Sequence, residues 1–261
     1  FRTACGGNRR GKKLVRDALK SRERGVLKTR GFAAEIFMEE LKNQSVIPDY
    51  LKIAVTGGIG SGKSTVCKKI GDLGYPVFSC DEIYNSMLGE SEFVSAMEIL
   101  FPGVTDGGRV DKRALLRVVL RDKKAMETLN SFTHPKIMAR LFEKTNEAAK
   151  IVYERQANDN GKSSEKILVF AEVPLLFEGE YDRLFDKIIV VKRNETEKIR
   201  SVIARDGCKE DVVKEKMSLQ FDYSLPPEKG NYPSFEKISF LENNASPDCL
   251  TDKIKQIIQS F

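Results

Sequence analysis

The 261-residue chain has no tryptophan, a single histidine and no long apolar run. A membrane-spanning helix needs about 18 consecutive apolar residues, so none is expected; the expected location is the cytoplasm. With His134 alone, a His-rich metal centre is excluded. The five cysteines, Cys5, Cys67, Cys80, Cys208 and Cys249, are odd in number, widely spaced and never arranged as CxxC. They suit neither a disulfide framework nor a zinc site, and they fit a reducing compartment. Acidic residues are scarce in one stretch only. Residues 1–34 hold 11 Lys and Arg against Asp17 and Glu23, a net of +9, whereas the whole chain carries +6 and the remainder therefore −3.

Basicity thus belongs to an N-terminal extension, residues 1–48, and not to the body. Such an arm suits an anionic surface such as nucleic acid, or is a poorly ordered tail. It is Arg-rich and acid-poor like a transit peptide, but Ser21 is the only serine among its first 34 residues. Within it, EIFMEELKNQSVI (35–47) is expected to form a short amphipathic helix closed by Pro48. The rest, 49–261, reads as one globular domain with a subdomain. No feature of the sequence bears on oligomeric state.

Five short apolar runs read as strands: LKIAVT (51–56), YPVFS (75–79), KILVFA (166–171), DKIIVVK (186–192) and KISFLEN (237–243). Helical spacing lies between them, most extensively from Asp81 to about Gln156. FPGVTDGGRV (101–110) is turn-rich, 157–165 is a polar loop, about 195–220 is charged and helical, and 248–259 closes the chain as a helix. Strands alternating with helices predict an α/β protein with a mainly parallel sheet. The long helical insertion after the second strand suggests a substrate subdomain.

Gly57-Gly58-Ile59-Gly60-Ser61-Gly62-Lys63-Ser64 matches G-x-x-x-x-G-K-[ST], between an apolar strand and a helix-forming run. Glycines let successive backbone N–H groups face phosphate oxygens, and the following helix adds its positive end. Lys63 can reach β- and γ-phosphates, and the Ser64 hydroxyl can ligate Mg²⁺. The motif alone does not separate kinases from switches or motors. No Asp has Gly three residues later and no NKxD occurs, which argues against a GTP switch. The third strand ends in Glu172 where a motor commonly places Asp. A small-molecule kinase needs an acceptor subdomain, a carboxylate near the acceptor and an arginine-bearing lid, and each has a candidate.

The blocks VTGGIGSGKSTV (55–66), SCDEIYNSML (79–88), LNSFTHPKIM (129–138), VPLLFEG (173–179) and ARDGC…EKMSLQ (204–220) together resemble the dephospho-CoA kinases. The resemblance covers about 51–260. It implies a three-layer P-loop kinase fold with about five parallel strands flanked by helices, a helical CoA-binding subdomain (about 82–160) and a lid (about 193–223). It implies transfer of phosphate from ATP, with Mg²⁺, to the 3′-hydroxyl of dephospho-CoA. By the same resemblance, ATP is expected on Gly57, Gly58, Gly60, Ser61, Gly62, Lys63, Ser64, Thr65 and Asn243, with Ser64 on the metal. Asp81 is expected to orient or deprotonate the acceptor hydroxyl, or to N-cap the helix beginning at Glu82. Arg205 is expected to contact phosphates from the lid. His134 and Pro135, the latter placed to start a helix, and Pro174, Leu175, Leu176 and Phe177 are expected by the acceptor; burial in the core is the plainer reading of the last four. Gln220 and Asn244 match further family positions.

Two departures stand out. The family often has Asp-x-Asp where this chain has Ser79-Cys80-Asp81. Its lid usually spaces two arginines four apart, but here Ser201 stands four before Arg205. Arg200 is adjacent but about 100° away round the helix. The alternatives are another P-loop small-molecule kinase, or a nucleotide-binding regulatory protein with degenerate catalysis.

Overall fold

The five apolar runs form one sheet, fully buried at its centre and only half-buried at its edges. The computed structural model describes residues 49–158, 166–244 and 247–261. The basic arm and the helix expected over 35–47 lie outside the described residues, as do 159–165 of the polar loop. The strands are β1 (Tyr50–Thr56), β2 (Val77–Ser79), β5 (Ile167–Glu172), β6 (Lys187–Lys192) and β7 (Ile238–Glu242). They are all parallel, in the order β2-β5-β1-β6-β7. Every residue of β5 is buried, as a central strand covered on both faces requires. β2 begins two residues later than the sequence suggests, since Pro76 has no N–H to donate; its carbonyl still accepts from Phe170 N.

Alternate side chains of β5 enter different layers. Leu168 and Phe170 pack with Val66 and Ile70 of α1 (Lys63–Asp72) and with Leu250, Ile254 and Ile258 of α8 (Pro247–Gln259). The α8 residues recur every four positions, one stripe of the helix. Ile167 and Val169 face the opposite layer, against Ala149 of α5 (Lys123–Asn158). Two helical layers thus enclose the sheet.

The chain divides into two compact units, one holding Asp81–Ala139 and the other the sheet with Arg140 onward. The first contains α2 (Cys80–Met87, but for its first residue), α3 (Ser91–Leu100), a hairpin of β3 (Thr105–Asp106) and β4 (Arg109–Val110), α4 (Lys112–Val119) and the first half of α5. Phe93 anchors it, with Tyr84 at 6.3 Å and Phe132 at 5.7 Å between ring centroids. The hairpin replaces the plain turn expected over 101–110. Gly107 and Gly108 both take positive φ, the mirror-image turn that suits two-residue hairpins.

One further expectation is corrected and another refined. Pro135 lies inside α5 and does not start it. A proline here removes one backbone donor, a cost that a 36-residue helix built on many other bonds can carry. The charged region 195–220 is two helices, α6 (Glu195–Asp206) and α7 (Glu210–Ser218), separated where Gly207 ends α6 in the left-handed conformation.

Candidate active site

β1 ends at Thr56, and the chain wraps over Gly57–Gly62 before α1 begins at Lys63. Glycine is required where the loop meets its neighbours. Gly60 has φ 76°, and a Cβ there would stand 2.5 Å from the Lys198 carbonyl oxygen. Gly62 has φ 92° and would drive a Cβ into the Asn243 amide. The Lys63 ammonium donates to the carbonyls of Gly57 and Gly58, at 2.8 and 3.2 Å, and so spans the loop. The Ser61 hydroxyl is buried and has no hydrogen-bond partner among the described residues. Thr65 is exposed in the first turn of α1.

One residue into α1, the Ser64 hydroxyl donates to Glu172 Oε1 at 2.9 Å. Glu172 is the last residue of β5, in register with Val55 of β1 and with Ser79 of β2, and is 8% exposed. A carboxylate therefore stands beside Ser79 after all, on the neighbouring strand. The Cys67 thiol is pushed well up, first by burial and then by the Glu172 charge, with Lys63 opposing. Sequence reasoning weighed Glu172 only as an argument against a motor. Its signal was an acid ending a wholly apolar strand.

Segments distant in sequence close over the loop. Gln220 Oε1 accepts from Ile59 N at 2.8 Å, and Tyr223 shares a 3.0 Å hydrogen bond with Thr56 Oγ1. Burial, and then the Glu178 charge, push the Tyr223 phenol up, so it stays a neutral hydroxyl. Asn243 Nδ2 donates to the Ser61 carbonyl at 2.8 Å, while Asn244 Oδ1 accepts from Asn194 N. Asn243 thus holds the loop's backbone. A cleft of about 490 Å³ opens beside Gly58 and Ile59, lined also by Lys198, Lys214, Gln220 and Tyr223.

The other expected residues are more dispersed. Asp81 is exposed in the first turn of α2, which begins at Cys80, so Asp81 lies within the helix and is not its N-cap. Its charge suits the positive helix end. His134 and Pro135 are half-buried in α5. Leu176 and Phe177 are core: Phe177 packs on Phe221, Tyr223 and Tyr232, at 4.7, 6.0 and 6.0 Å between centroids. Of that block, Pro174 and Leu175 keep accessible surface, Leu175 at 39%. Arg205, at the exposed end of α6, forks onto its neighbour Asp206 at 2.7 and 3.1 Å. Arg200 is 71% exposed and paired with Glu197. An arginine not singled out from the sequence, Arg193, reaches the loop, its Nη1 donating to the Gly60 carbonyl oxygen at 3.4 Å. A lone arginine after a strand carries no pattern by which sequence reasoning could have found it.

Residues 51–225 match the family model for dephospho-CoA kinase. The chain belongs to the dephospho-CoA kinase family. This is a family of transferases that catalyse the last step of coenzyme A biosynthesis. A dephospho-CoA kinase from Thermus thermophilus is 30% identical over 210 residues, 79% of this chain and 89% of that protein. One from Rhodopseudomonas palustris is 33% identical over 157 residues, 60% of this chain and 72% of that protein. Among solved structures, TT1252 from Thermus thermophilus superposes with a TM-score of 0.58 at 27% identity, covering 82% of this chain and 99% of that one. Dephospho-CoA kinase from Campylobacter jejuni, at 23% identity, shares the fold with a TM-score of 0.50, over 81% of this chain and 97% of that one.

Proposed function

We propose that this dephospho-CoA kinase family member transfers the γ-phosphoryl group of ATP to the 3′-hydroxyl of dephospho-CoA, giving coenzyme A and ADP. The observation that carries the reading is the cradle itself: Lys63 across the loop, with Ser64 on the buried Glu172. Phosphoryl transfer asks a protein mainly for positioning and charge neutralisation. The loop amides and the N-terminus of α1 receive the phosphates, and the Lys63 ammonium offsets charge that builds on them.

Ser64 and Glu172 are the residues that would hold magnesium. Both offer hard oxygen donors, and Glu172 is too buried to serve merely as a surface charge. Among the described residues no group of three or more His, Cys, Asp or Glu could form a metal site, so the ion would draw its remaining ligands from water and phosphate. An ion held by Ser64 and Glu172 would supply positive charge against the phosphates.

Asp81 is assigned to the acceptor hydroxyl, accepting its proton or orienting it. Arg205 contributes by exchanging Asp206 for phosphate; an exposed ion pair of this kind contributes only about 0–1 kcal/mol, so the exchange costs little. His134 and Pro135, within a helical subdomain of about 82–160, and Pro174 and Leu175, beyond it in sequence, are the accessible residues assigned to the acceptor. Leu176 and Phe177, next in the chain, are core residues. The described cysteines are all free thiols, which supports a reducing, cytoplasmic setting. No described helix is long and apolar enough to cross a membrane.

A coupled ADP-release assay with a panel of acceptors tests the substrate. Dephospho-CoA is expected to stimulate ADP release at least tenfold over adenosine, nucleoside monophosphates or no acceptor. Equal stimulation by a nucleoside monophosphate would favour a different small-molecule kinase. ATP binding without any acceptor-stimulated turnover would favour a regulatory protein.

A further inference from the structure

Arg193 follows β6 directly, outside the P-loop motif. Its Nη1 donates to Ser201 Oγ at 2.8 Å and to the Gly60 carbonyl oxygen at 3.4 Å. Nη2 lies 3.6 Å from Glu197 Oε2, and Nε is buried without a hydrogen-bond partner among the described residues. One guanidinium therefore joins the phosphate loop to the first turns of α6. An ordinary surface ion pair would leave Nε in water, so this contact is more than decoration of the helix.

The peptide plane explains what the join achieves. In a trans peptide the C=O and the next residue's N–H point to opposite sides. Holding the Gly60 carbonyl therefore also fixes the Ser61 N–H on the other side, where it donates to the Gly58 carbonyl at 3.1 Å and closes the turn of the loop. Asn243 does the same one peptide on, at the Ser61 carbonyl, and so fixes the Gly62 N–H. Lys63 holds the Gly57 and Gly58 carbonyls. Within this set, Arg193 is the residue that also grips α6. The helix register matters here: Ser201 meets the guanidinium, whereas Arg200, one residue before, is exposed and bonded to Glu197. Glu197 is shared between the two arginines, so it only partly neutralises Arg193 beside a loop that must receive a polyanion.

We propose that Arg193 is a positioning residue for phosphoryl transfer: it locks the Gly60–Ser61 peptide of the phosphate loop to the base of α6, so that loop and lid helix meet the triphosphate as one preorganised unit. The inference rests on reading Gly57–Ser64 as the ATP site. It does not depend on which acceptor is used. Rigid, pre-aimed donors bind phosphate better because no ordering cost falls due on binding.

The test is nucleotide affinity of the full chain without acceptor, using Mg²⁺ with ADP and with the non-hydrolysable analogue AMP-PNP. Calorimetric Kd values for Arg193→Gln are expected to rise about tenfold for both nucleotides. The thermal midpoint should move by no more than a few degrees. Ser201→Ala should raise both Kd values about threefold. The double variant should be no weaker than Arg193→Gln alone, because both changes act through one contact. Unchanged Kd values in Arg193→Gln, or fully additive effects in the double variant, would overturn the proposal. Should Arg193→Gln fail to fold, Arg193→Lys keeps the charge but not the forked reach. A several-fold rise in Kd then supports the proposal, and wild-type affinity overturns it. A wrong acceptor assignment would leave all these affinities unaltered. A wild-type protein that binds neither nucleotide would instead overturn the reading of the loop itself.

Discussion

Lys63→Met is expected to lower kcat for acceptor-dependent ADP formation by roughly 10³-fold or more. Two losses combine. The ammonium is the one side-chain charge that the P-loop motif itself contributes, and removing a single preorganised charged donor commonly costs about 10²–10³-fold in kcat. The same group also donates to the Gly57 and Gly58 carbonyls, so the loop loses an internal brace. Methionine keeps the length and apolar stem, so packing around α1 should persist. Steady-state kinetics over a range of ATP concentrations separates the effects: kcat should fall much further than ATP affinity. A decrease of less than tenfold at saturating ATP would remove Lys63 from the chemical step.

Asp81→Asn should lower kcat by about 10²-fold, the usual scale for losing a positioned acid or base, with ATP affinity largely kept. The substitution is nearly isosteric at an exposed position, so it opens no cavity. It removes a negative charge from the first turn of α2, a favourable interaction of about 0.3–1 kcal/mol, so stability should fall only slightly. Kinetics alongside a thermal midpoint distinguish the roles. A helix-stabilising Asp81 gives a lower midpoint and a near-wild-type rate. A hydroxyl-directing Asp81 gives the large rate loss with at most that slight fall in midpoint, and only that rate loss keeps it in the mechanism.

The strands and the phosphate loop were readable in advance because each rests on local chemistry. An apolar β-branched run between turn residues is a buried strand wherever it sits, and the five runs became the five strands within two residues at each end. The glycines and Lys63 of the loop are needed at fixed spacing by the geometry of phosphate. What escaped was either too short or locally ambiguous, or depended on partners far along the chain. The hairpin at 105–110 has strands of two residues, too short for any alternation to register. Pro135 looks like a helix start in isolation, yet sits in the interior of a long helix. Glu172 meets Ser64 across 108 residues, and Gln220 meets Ile59 across 161. Both contacts exist only because parallel strands and the returning segment after α7 bring distant residues together. Leu176 and Phe177 show the converse: a block that reads as a ligand-lining motif is half core, because its neighbours at 221–232 bury it.

The resemblance led to one arginine, and the structure adds another. Arg205 was expected on the phosphates and is found bidentate on Asp206, while Arg193 holds the loop. The missing acid at Ser79 has a comparable answer in Glu172, one strand away in register. In both places the charge that the local sequence lacks is delivered by a neighbouring element.

The most direct measurement is the site of phosphorylation on the product. Purified protein incubated with ATP, Mg²⁺ and dephospho-CoA should yield a product one phosphate heavier by mass spectrometry, with its new phosphorus resonance assigned to a monoester on the ribose 3′-oxygen. A product phosphorylated elsewhere, or ATP bound and dephospho-CoA recovered unchanged, would contradict the assignment.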